Sequence, residues 1–375
     1  MSRVAGTICD ILPSTAALLG VPGATDRLDL ASRVGEVRRV ALLLIDGMGS
    51  HLLPRMAPHA PLLASVLAGD TATLDELTCT FPSTTPTSLV SLATGAQPGE
   101  HGILGFTLNV PGTDRVLTHI AWRDDPPPGT WQPVPTWFAR ISAAGTSATV
   151  VLPRFFAGSG LTEAAYRGAE FRGVGRDDDY AERLLLALED GPGVVYGYSS
   201  ALDTAAHVYG IASSEWAQAA AAVDVLLTRL VDRLPADAAL LVTADHGGLD
   251  VAAGARLDIA ADERLAAGVR VVAGEPRVRY LHTVPGALPD VLAAWREVVG
   301  QRGQVLERDE AIEVGWFGPV RDAHRARIGD VVVICTAEFA VLATGHEPPE
   351  MAKLIGFHGA ATPAETAIPL ISLHR

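Results

Sequence analysis

The chain has 375 residues, of which 48 % are apolar and 19 % are charged, and its formal net charge is −14. This composition excludes an intrinsically disordered chain, and a negative charge without a basic stripe excludes a protein that tracks nucleic-acid phosphates. No apolar run approaches the roughly 20 residues that a membrane span needs. Residues 1–20 are also a poor match to a secretory signal. We therefore expect a cytoplasmic protein with no membrane partner.

Short apolar runs in four places are typical of buried parallel strands. They lie at residues 39–45, 148–152, 194–199 and 239–244. Continuous Val and Leu runs of this length suit strands that are covered on both faces. Residues 213–234 repeat apolar side chains every three to four positions, which predicts an amphipathic helix. The alternation predicts an α/β fold, a layered and mostly parallel sheet with helices on both faces.

Residues 251–349 have a different pattern from the rest of the chain. Strand-like and helix-like segments lie there at 269–274, 278–284, 287–299 and 330–342. We predict a smaller α+β cap, inserted into a single catalytic domain of residues 1–375 whose core spans about 36–250 and 350–375. Residues 100–190 contain many Pro and Gly, and we expect mainly long loops over the strand ends there.

An acidic residue follows three of the predicted strands within a few positions. These residues are Asp46, Asp203 and Asp245, and His207 and His246 accompany two of them. The carboxyl ends of parallel strands meet at the edge where ligands bind. Carboxylates and imidazoles are suitable ligands for zinc or manganese. Taken singly, such an Asp is more often a turn or helix-cap residue, and Asp203 with His207 is more often a surface helix pair.

The segment 79–95 places a run of hydroxyl side chains in front of a predicted helix. A Thr before Pro86 is a favourable N-cap, Pro suits the first helical position, and Gly95 is a stop signal. A second interpretation is catalytic, with one of the hydroxyls of Ser83, Thr84 and Thr85 as a nucleophile. On this stretch alone capping is the favoured interpretation, and Thr85, directly before Pro86, is the predicted N-cap.

Five motifs, taken in order, resemble the alkaline phosphatase superfamily, and most closely its nucleotide pyrophosphatase/phosphodiesterase branch. They are 45-IDGMG-49, 81-FPSTTPTS-88 followed by 94-TGAQPGEHGI-103, 203-DTAAHVYG-210, 244-ADHGG-248 and 356-GFHG-359. The resemblance covers the predicted core and says little about residues 251–349. It implies the alkaline phosphatase-like core fold and a site that holds two divalent metal ions, most often Zn²⁺.

The resemblance also implies a role for individual residues. One metal ion would be held by Asp46, Thr85, Asp245 and His246, and the other by Asp203, His207 and His358. Thr85 would be the nucleophile, since it lies nine residues before the Thr94–Gly95 pair. Ser88 stands where the branch usually has an Asn that contacts a phosphate oxygen, so it would be a shorter substrate-binding residue.

We therefore expect a two-metal hydrolase that cleaves phosphodiester or pyrophosphate bonds of small, nucleotide-like phosphate esters through a metal-activated Thr85. One alternative is a phosphomonoester or phosphonate hydrolase on the same scaffold. That reaction would need a cation for the extra charge, and Arg123, Arg154 and Arg167 are candidates. An alternative of another class is a non-catalytic metal-binding relative.

Overall fold

The computed structural model describes residues 6–374, so the first five residues of the N-terminal segment considered above lie outside the described part. Its strands are β1 (Arg39–Ile45), β2 (Thr73–Thr78), β3 (Thr107–Asn109), β4 (Val116–Thr118), β5 (Ser147–Pro153), β6 (Glu170–Val174), β7 (Gly193–Ser199), β8 (Ala238–Thr243), β9 (Leu249–Asp250), β10 (Arg256–Asp258), β11 (Val269–Glu275), β12 (Val278–Thr283), β13 (Gly303–Glu307), β14 (Val331–Cys335), β15 (Ala340–Leu342), β16 (Gly356–Phe357) and β17 (Ala367–His374).

Helices occur between most of these strands. They are α1 (Ile11–Leu18), α2 (Leu30–Val34), α3 (Leu53–Met56), α4 (Pro61–Ala68), α5 (Thr85–Thr94), α6 (Pro98–His101), α7 (Pro128–Trp131), α8 (Trp137–Ala143), α9 (Gly160–Tyr166), α10 (Tyr180–Glu189), α11 (Ala201–Tyr209), α12 (Ser214–Asp232), α13 (Glu263–Ala266), α14 (Leu288–Val299), α15 (Arg308–Glu313), α16 (Asp322–Arg325) and α17 (Pro363–Thr366).

The main sheet has seven strands in the order β2-β17-β8-β1-β7-β5-β6. Neighbouring strands from β8 to β6 run parallel, whereas β17 is antiparallel to both β8 and β2. The four apolar runs of the sequence form β1, β5, β7 and β8. All of β1 after its first residue is buried, which requires cover on both faces. The predicted α/β fold with a mostly parallel sheet is confirmed.

The amphipathic pattern at 213–234 corresponds to α12, which begins after the N-cap Ser213. The hydroxyl of Ser213 accepts the backbone N–H of Trp216 at 3.1 Å and so satisfies one donor that the helix leaves free. The buried stripe of α12 includes Trp216, Val223, Leu227 and Leu230. Because these side chains recur at helical spacing, the sequence pattern locates both the helix and its buried face.

A smaller antiparallel sheet, in the order β11-β12-β14-β13, lies within the predicted insertion. Helix α14 buries Val291, Leu292 and Trp295, which belong to a separate apolar cluster with residues of this sheet. The apolar stretch 330–342 contains two strands, β14 and β15, instead of one. Ala337 between them has a φ of 44°, and this left-handed residue turns the chain so that β15 can pair with β10.

The expectation that residues 100–190 form mainly loops is wrong. This segment contains α8, α9, α10 and the strands β5 and β6. Its Pro and Gly residues end helices and strands, and they do not make the whole segment a loop. Ile8, Ile11 and Leu12, which precede the predicted start of the core at about residue 36, are fully buried in the main apolar cluster. Among residues 6–374, no helix is long and apolar enough to cross a membrane.

Candidate active site

The three acidic residues that follow predicted strands meet at one edge of the main sheet. Strand β1 lies between β7 and β8 and runs parallel to both, so the carboxyl ends of the three strands are adjacent. Asp46 follows β1, Asp203 lies in the first turn of α11 after β7, and Asp245 follows β8. Ligand atoms of Asp46, Asp203 and His246 lie within 4.8 Å of one another. This edge is therefore a concentrated patch of carboxylates.

A second group shares Asp203 with the first. Ligand atoms of Asp203, His207 and His358 also lie within 4.8 Å of one another. Helix α11 places Asp203 and His207 on one face, with Oδ2 of Asp203 3.1 Å from Nε2 of His207. Nε2 of His358, which follows β16, lies 3.2 Å from Nε2 of His207. These two groups thus contain all the residues that the resemblance assigns to metal ions except Thr85 and Asp245.

Thr85 lies against the first of these groups. Its Oγ1 is 3.1 Å from Nε2 of His246. The same Nε2 atom is 3.3 Å from Oδ1 of Asp46 and 3.5 Å from Oδ2 of Asp245. The hydroxyl at the start of α5 and the acidic edge of the sheet therefore belong to one crevice.

Helix α5 separates Thr85 from its hydroxyl neighbours by exposure. Thr85 is partly exposed, whereas Ser83, Thr84 and Ser88 are fully buried. The prediction that Thr85 is the N-cap is wrong, because Thr84 holds that position with an extended φ of −139° and Thr85 is already helical. Pro86 accordingly lies second in the helix. Gly95 ends the helix with a φ of 68°, as predicted.

Ser88 is placed away from the crevice. Its Oγ lies 2.8 Å from Oγ1 of Thr80, and the residue is fully buried. A contact between Ser88 and substrate would require this hydrogen bond to break. The substrate-binding role of Ser88 stays a prediction.

Two glycines allow the loops of the crevice to approach each other. A Cβ atom on Gly47, whose φ is 73°, would lie 2.9 Å from Oδ1 of Asp203. A Cβ atom on Gly49 would lie 2.6 Å from Cα of Gly247. Glycine is required at both positions because a larger residue would push the Asp46 loop away from Asp203 and from the Asp245–His246 loop.

Sequence reasoning missed Tyr198, the penultimate residue of β7. Its hydroxyl donates a short hydrogen bond to Oδ2 of Asp46. Burial, and then the Asp46 carboxylate, hold the pKa of Tyr198 well above its usual value, so the hydroxyl stays a donor. A polar side chain near the end of a buried strand is the signal that could have identified it.

Ser83 was considered only as a nucleophile candidate, yet it joins two loops. Its backbone N–H donates to the carbonyl of Gly359 at 3.0 Å, and its Oγ donates to the carbonyl of Ala360 at 2.7 Å. Its own carbonyl accepts from Nδ1 of His358 at 2.8 Å. Ser83 therefore holds the His358 loop beside the start of α5.

Glu275, the last residue of β11, was also missed. It is 3 % exposed, and burial raises its pKa to about 7 against the opposing effects of the Thr84 hydroxyl and the Phe106 backbone N–H. A Cβ atom on Gly359 would lie 2.9 Å from Cγ of Glu275, so this side chain packs beside the His358 loop. The smaller sheet thus contributes a carboxyl group behind the crevice.

The three histidines of the crevice present their Nε2 atoms to it in the same way. Nδ1 contacts a backbone carbonyl in each ring: Gly356 for His207 at 2.7 Å, Gly247 for His246 at 2.8 Å and Ser83 for His358. A carbonyl can only accept, so Nδ1 carries the hydrogen and the Nε2 atom of each neutral ring has a free lone pair. Two such lone pairs cannot hydrogen-bond each other, although those of His207 and His358 are in contact.

The charges of the crevice also favour a bound cation. Burial, followed by the Asp46 carboxylate, raises the pKa of Asp245 well above its usual value. Burial lowers the pKa of His207, but the Asp203 carboxylate outweighs it and raises that pKa to about 9. The buried atoms Asp46 Oδ1 and Asp245 Oδ2 have no hydrogen-bond partner among the described residues. A pKa of about 9 means that the carboxylates hold a proton on Nε2 of His207 at neutral pH where no metal ion is bound. Divalent metal ions fit the same place, because they would balance the crowded negative charge, pair the free carboxylate oxygens and use the Nε2 lone pairs of the neutral rings.

Comparison with known proteins gives a family match over most of the chain. The model of a family described as type I phosphodiesterase / nucleotide pyrophosphatase matches residues 40–361, which include every candidate ligand and Thr85. No curated protein sequence matches the chain.

Solved structures with the same fold include two kinds of protein. Murine ectonucleotide pyrophosphatase / phosphodiesterase 5 superposes with a TM-score of 0.70 at 15 % identity, covering 88 % of this chain and 87 % of that chain. Phosphonoacetate hydrolase from Sinorhizobium meliloti 1021, in complex with phosphonoacetate, gives a TM-score of 0.67 at 18 % identity, covering 91 % and 92 %. At these identities the two structures establish the shared fold.

Proposed function

We propose, because the chain belongs to the type I phosphodiesterase / nucleotide pyrophosphatase family, that it hydrolyses phosphodiester or pyrophosphate bonds of small phosphate esters with Thr85 as the nucleophile. Membership of the family makes the chain a phosphoester hydrolase. The finer assignment of the nucleophile, the metal ions and the substrate class is our proposal.

The observation that carries the proposal is the environment of Thr85. Thr85 is partly exposed, whereas the neighbouring residues with hydroxyl groups are buried. Its Oγ1 lies 3.1 Å from Nε2 of His246, beside Asp46 and Asp245. Thr85 is also the first residue of α5, and the dipole at a helix N-terminus favours an anionic phosphoryl group. Position, access and local charge therefore all favour attack from this atom.

We assign Asp46, Thr85, Asp245 and His246 to one metal ion and Asp203, His207 and His358 to the other, most suitably zinc. When bound, the metal ions lower the pKa of the Thr85 hydroxyl and stabilise charge on the phosphoryl oxygens. The deprotonated Oγ1 attacks phosphorus, the bond to the leaving oxygen breaks, and the leaving group takes up a proton. Water then attacks the phosphothreonine and releases phosphate ester and the Thr85 hydroxyl.

The test compares hydrolysis of bis(4-nitrophenyl) phosphate with that of 4-nitrophenyl phosphate by zinc-loaded protein. We expect turnover of the diester to fall on the order of 10³-fold or more in Thr85→Ala, since the nucleophile is removed. Thr85→Ser keeps a hydroxyl and should retain part of the activity. Rapid-quench detection of a phosphorylated chain in the wild type, and its loss in Thr85→Ala, would identify the covalent step directly.

Three outcomes would overturn parts of the proposal. Full activity in Thr85→Ala would exclude this nucleophile. A preference for the monoester would assign the chain to phosphomonoester hydrolysis instead. A protein that neither contains zinc nor takes it up, and hydrolyses neither compound, would be a non-catalytic relative.

A further inference from the structure

A cavity of about 750 Å³ opens beside the candidate metal ligands. Tyr198, whose hydroxyl donates to Asp46, lines one side of it, and the chain continues along its wall through Ser200 and Ala201 to Asp203 in α11. None of the proposed metal ligands is among the described residues that line it. The cavity therefore begins where the phosphoryl-binding crevice ends, and its volume suits the remaining part of a small ligand.

Two arginines bring positive charge to this cavity, whereas the chain as a whole is acidic. Arg154 and Arg176, both exposed, line it, and within residues 6–374 neither guanidinium group forms a hydrogen bond or a direct ion pair. Asp178 also lines the cavity, but its carboxylate is 2.7 Å from Arg183 and accepts the backbone N–H of Gly175 at 2.7 Å. The pKa of Asp178 is lowered first by its hydrogen bond to Arg183 and last by the charge of Arg154, so Arg154 interacts with Asp178 only at longer range and neither guanidinium group has a direct partner within residues 6–374.

The position of Arg154 depends on two small residues at the end of β6. A Cβ atom on Gly173 would lie 3.2 Å from Cγ of Arg154, and one on Gly175 would lie 3.9 Å from its Nη2. Without side chains, these residues leave a channel along which the arginine extends. The local sequence therefore makes room for a guanidinium group at the wall of the cavity.

Aromatic rings form another part of the cavity surroundings. Phe155 lines the cavity with 75 % of its surface exposed, which is unusual for so large an apolar side chain. Its ring centre is 4.6 Å from that of Phe156, which in turn lies 6.1 Å from that of Tyr198. A ligand in the cavity would meet an apolar ring surface and two unpaired cations together.

Resting on the proposed function, we propose that this cavity binds the part of the ester farthest from the scissile phosphorus, and that Arg154 and Arg176 select substrates carrying a second anionic group there. That group is an oxyanion, either a carboxylate or a phosphate. The planar guanidinium fork matches both geometrically and forms charge-assisted hydrogen bonds with them.

The test measures binding without turnover. Zinc-loaded protein is titrated calorimetrically with 4-carboxybenzylphosphonate and with its neutral match, 4-carbamoylbenzylphosphonate. We expect the carboxylate to bind about tenfold more tightly, as for one charge-assisted hydrogen bond of ordinary strength. The double variant Arg154→Gln/Arg176→Gln should reduce this ratio to near one. Arg38→Gln is the matched control, because Arg38 is exposed at the opposite end of β1 and should keep the ratio.

A third probe distinguishes the two sources of the oxyanion. If p-xylylenediphosphonate binds more tightly than 4-carboxybenzylphosphonate and loses more affinity in the double variant, the second group is a phosphate. The reverse order of the two affinities would identify the second group as a carboxylate.

Equal binding of the charged and neutral probes, binding of neither, or an unchanged ratio in the double variant would overturn the inference. Hydrolysis of bis(4-nitrophenyl) phosphate, which has no second anionic group, tests the proposed function separately. Charge-selective binding without hydrolysis would thus contradict the proposed function alone, and hydrolysis without selectivity would contradict the inference alone.

Discussion

At the scale of single residues, the candidate site depends on side chains that orient others. Oδ2 of Asp46 accepts from Tyr198, while Oδ1 points to the crevice 3.3 Å from Nε2 of His246. The hydroxyl of Tyr198 therefore determines which carboxylate oxygen of Asp46 is available to a metal ion. Partners of this kind fix ligand orientation and are often as important as the ligands.

Replacing Tyr198 should weaken metal binding. Tyr198→Phe removes the donor and leaves Asp46 free to rotate, so we expect zinc affinity to fall about 10- to 100-fold. Competition with a chromogenic chelator measures this change. Tyr209→Phe is the matched control, because Tyr209 is 52 % exposed and lies at the end of α11. Equal zinc affinity in wild type and Tyr198→Phe would contradict the orienting role.

At the scale of elements, a buried ion pair ties the smaller sheet to the main one. Arg277, between β11 and β12, is 2.7 Å from Glu365 in α17, and both side chains are fully buried. Oε1 of Glu365 also accepts the backbone N–H of Ala360, two residues after His358. The pair therefore supports the loop that carries His358 as well as the contact between the sheets.

Breaking this pair should destabilise the protein strongly. Arg277→Met leaves the Glu365 carboxylate buried without its cation, which costs about 3–5 kcal/mol of the free energy of unfolding. Chemical denaturation measures the loss. Arg264→Met is the control, because the Arg264–Glu297 pair is exposed and should contribute less than about 1 kcal/mol. A loss in Arg277→Met no larger than that of the control would show that the pair is not structural.

The parts of the structure that sequence predicted are those with a local pattern. The strands β1, β5, β7 and β8 follow from uninterrupted apolar runs, and the grouping of Asp46, Asp203 and Asp245 follows from their places after strands. Strand β2 was not predicted, because apolar and polar residues alternate in its sequence TLDELT and only part of one face is buried. Glu275 and Arg277 were not predicted because their partners are distant in sequence: Arg277 pairs with Glu365, 88 residues away, and Glu275 contacts Thr84 and Gly359. No local pattern indicates such a contact.

At the scale of the whole molecule, the candidate site concentrates part of the chain's negative charge. We expect zinc to raise the melting temperature and a chelator to lower it, because an ion that binds only the folded chain stabilises it by mass action, about 2.7 kcal/mol at 100 times its dissociation constant. Differential scanning fluorimetry over a zinc series measures the shift. The double variant Asp203→Asn/His207→Ala should show a much smaller shift, and an equal one would locate the zinc elsewhere.

Acid should destabilise the fold through buried neutral histidines. Burial lowers the pKa of His119 to about 4, while its Nε2 accepts from Trp131 at 3.0 Å. Between the two pKa values, the unfolded chain binds a proton on His119, whereas His119 stays neutral in the folded chain. Stability is therefore lost as pH falls from about 6.5 toward 4, by about 3 kcal/mol in total for this residue.

The variant His119→Gln tests that expectation through its slope. Its free energy of unfolding should change less steeply near pH 5, by about 1 kcal/mol per pH unit, whatever its stability at neutral pH. Denaturant titrations between pH 7 and 5 give this slope. His59→Gln, at an exposed position, should match the wild type, and an unchanged slope in His119→Gln would assign the acid sensitivity to other groups.

The place of β17 in the main sheet has a consequence for synthesis on the ribosome. Residues 367–374 lie between β2 and β8, so β2 joins the other strands only through them. A nascent chain can pair β1, β7 and β8 early, but it exposes one edge of β8 until residue 374 leaves the exit tunnel. The sheet is therefore completed only after translation has passed this segment, and until then the unpaired edge of β8 is open to pairing with other chains.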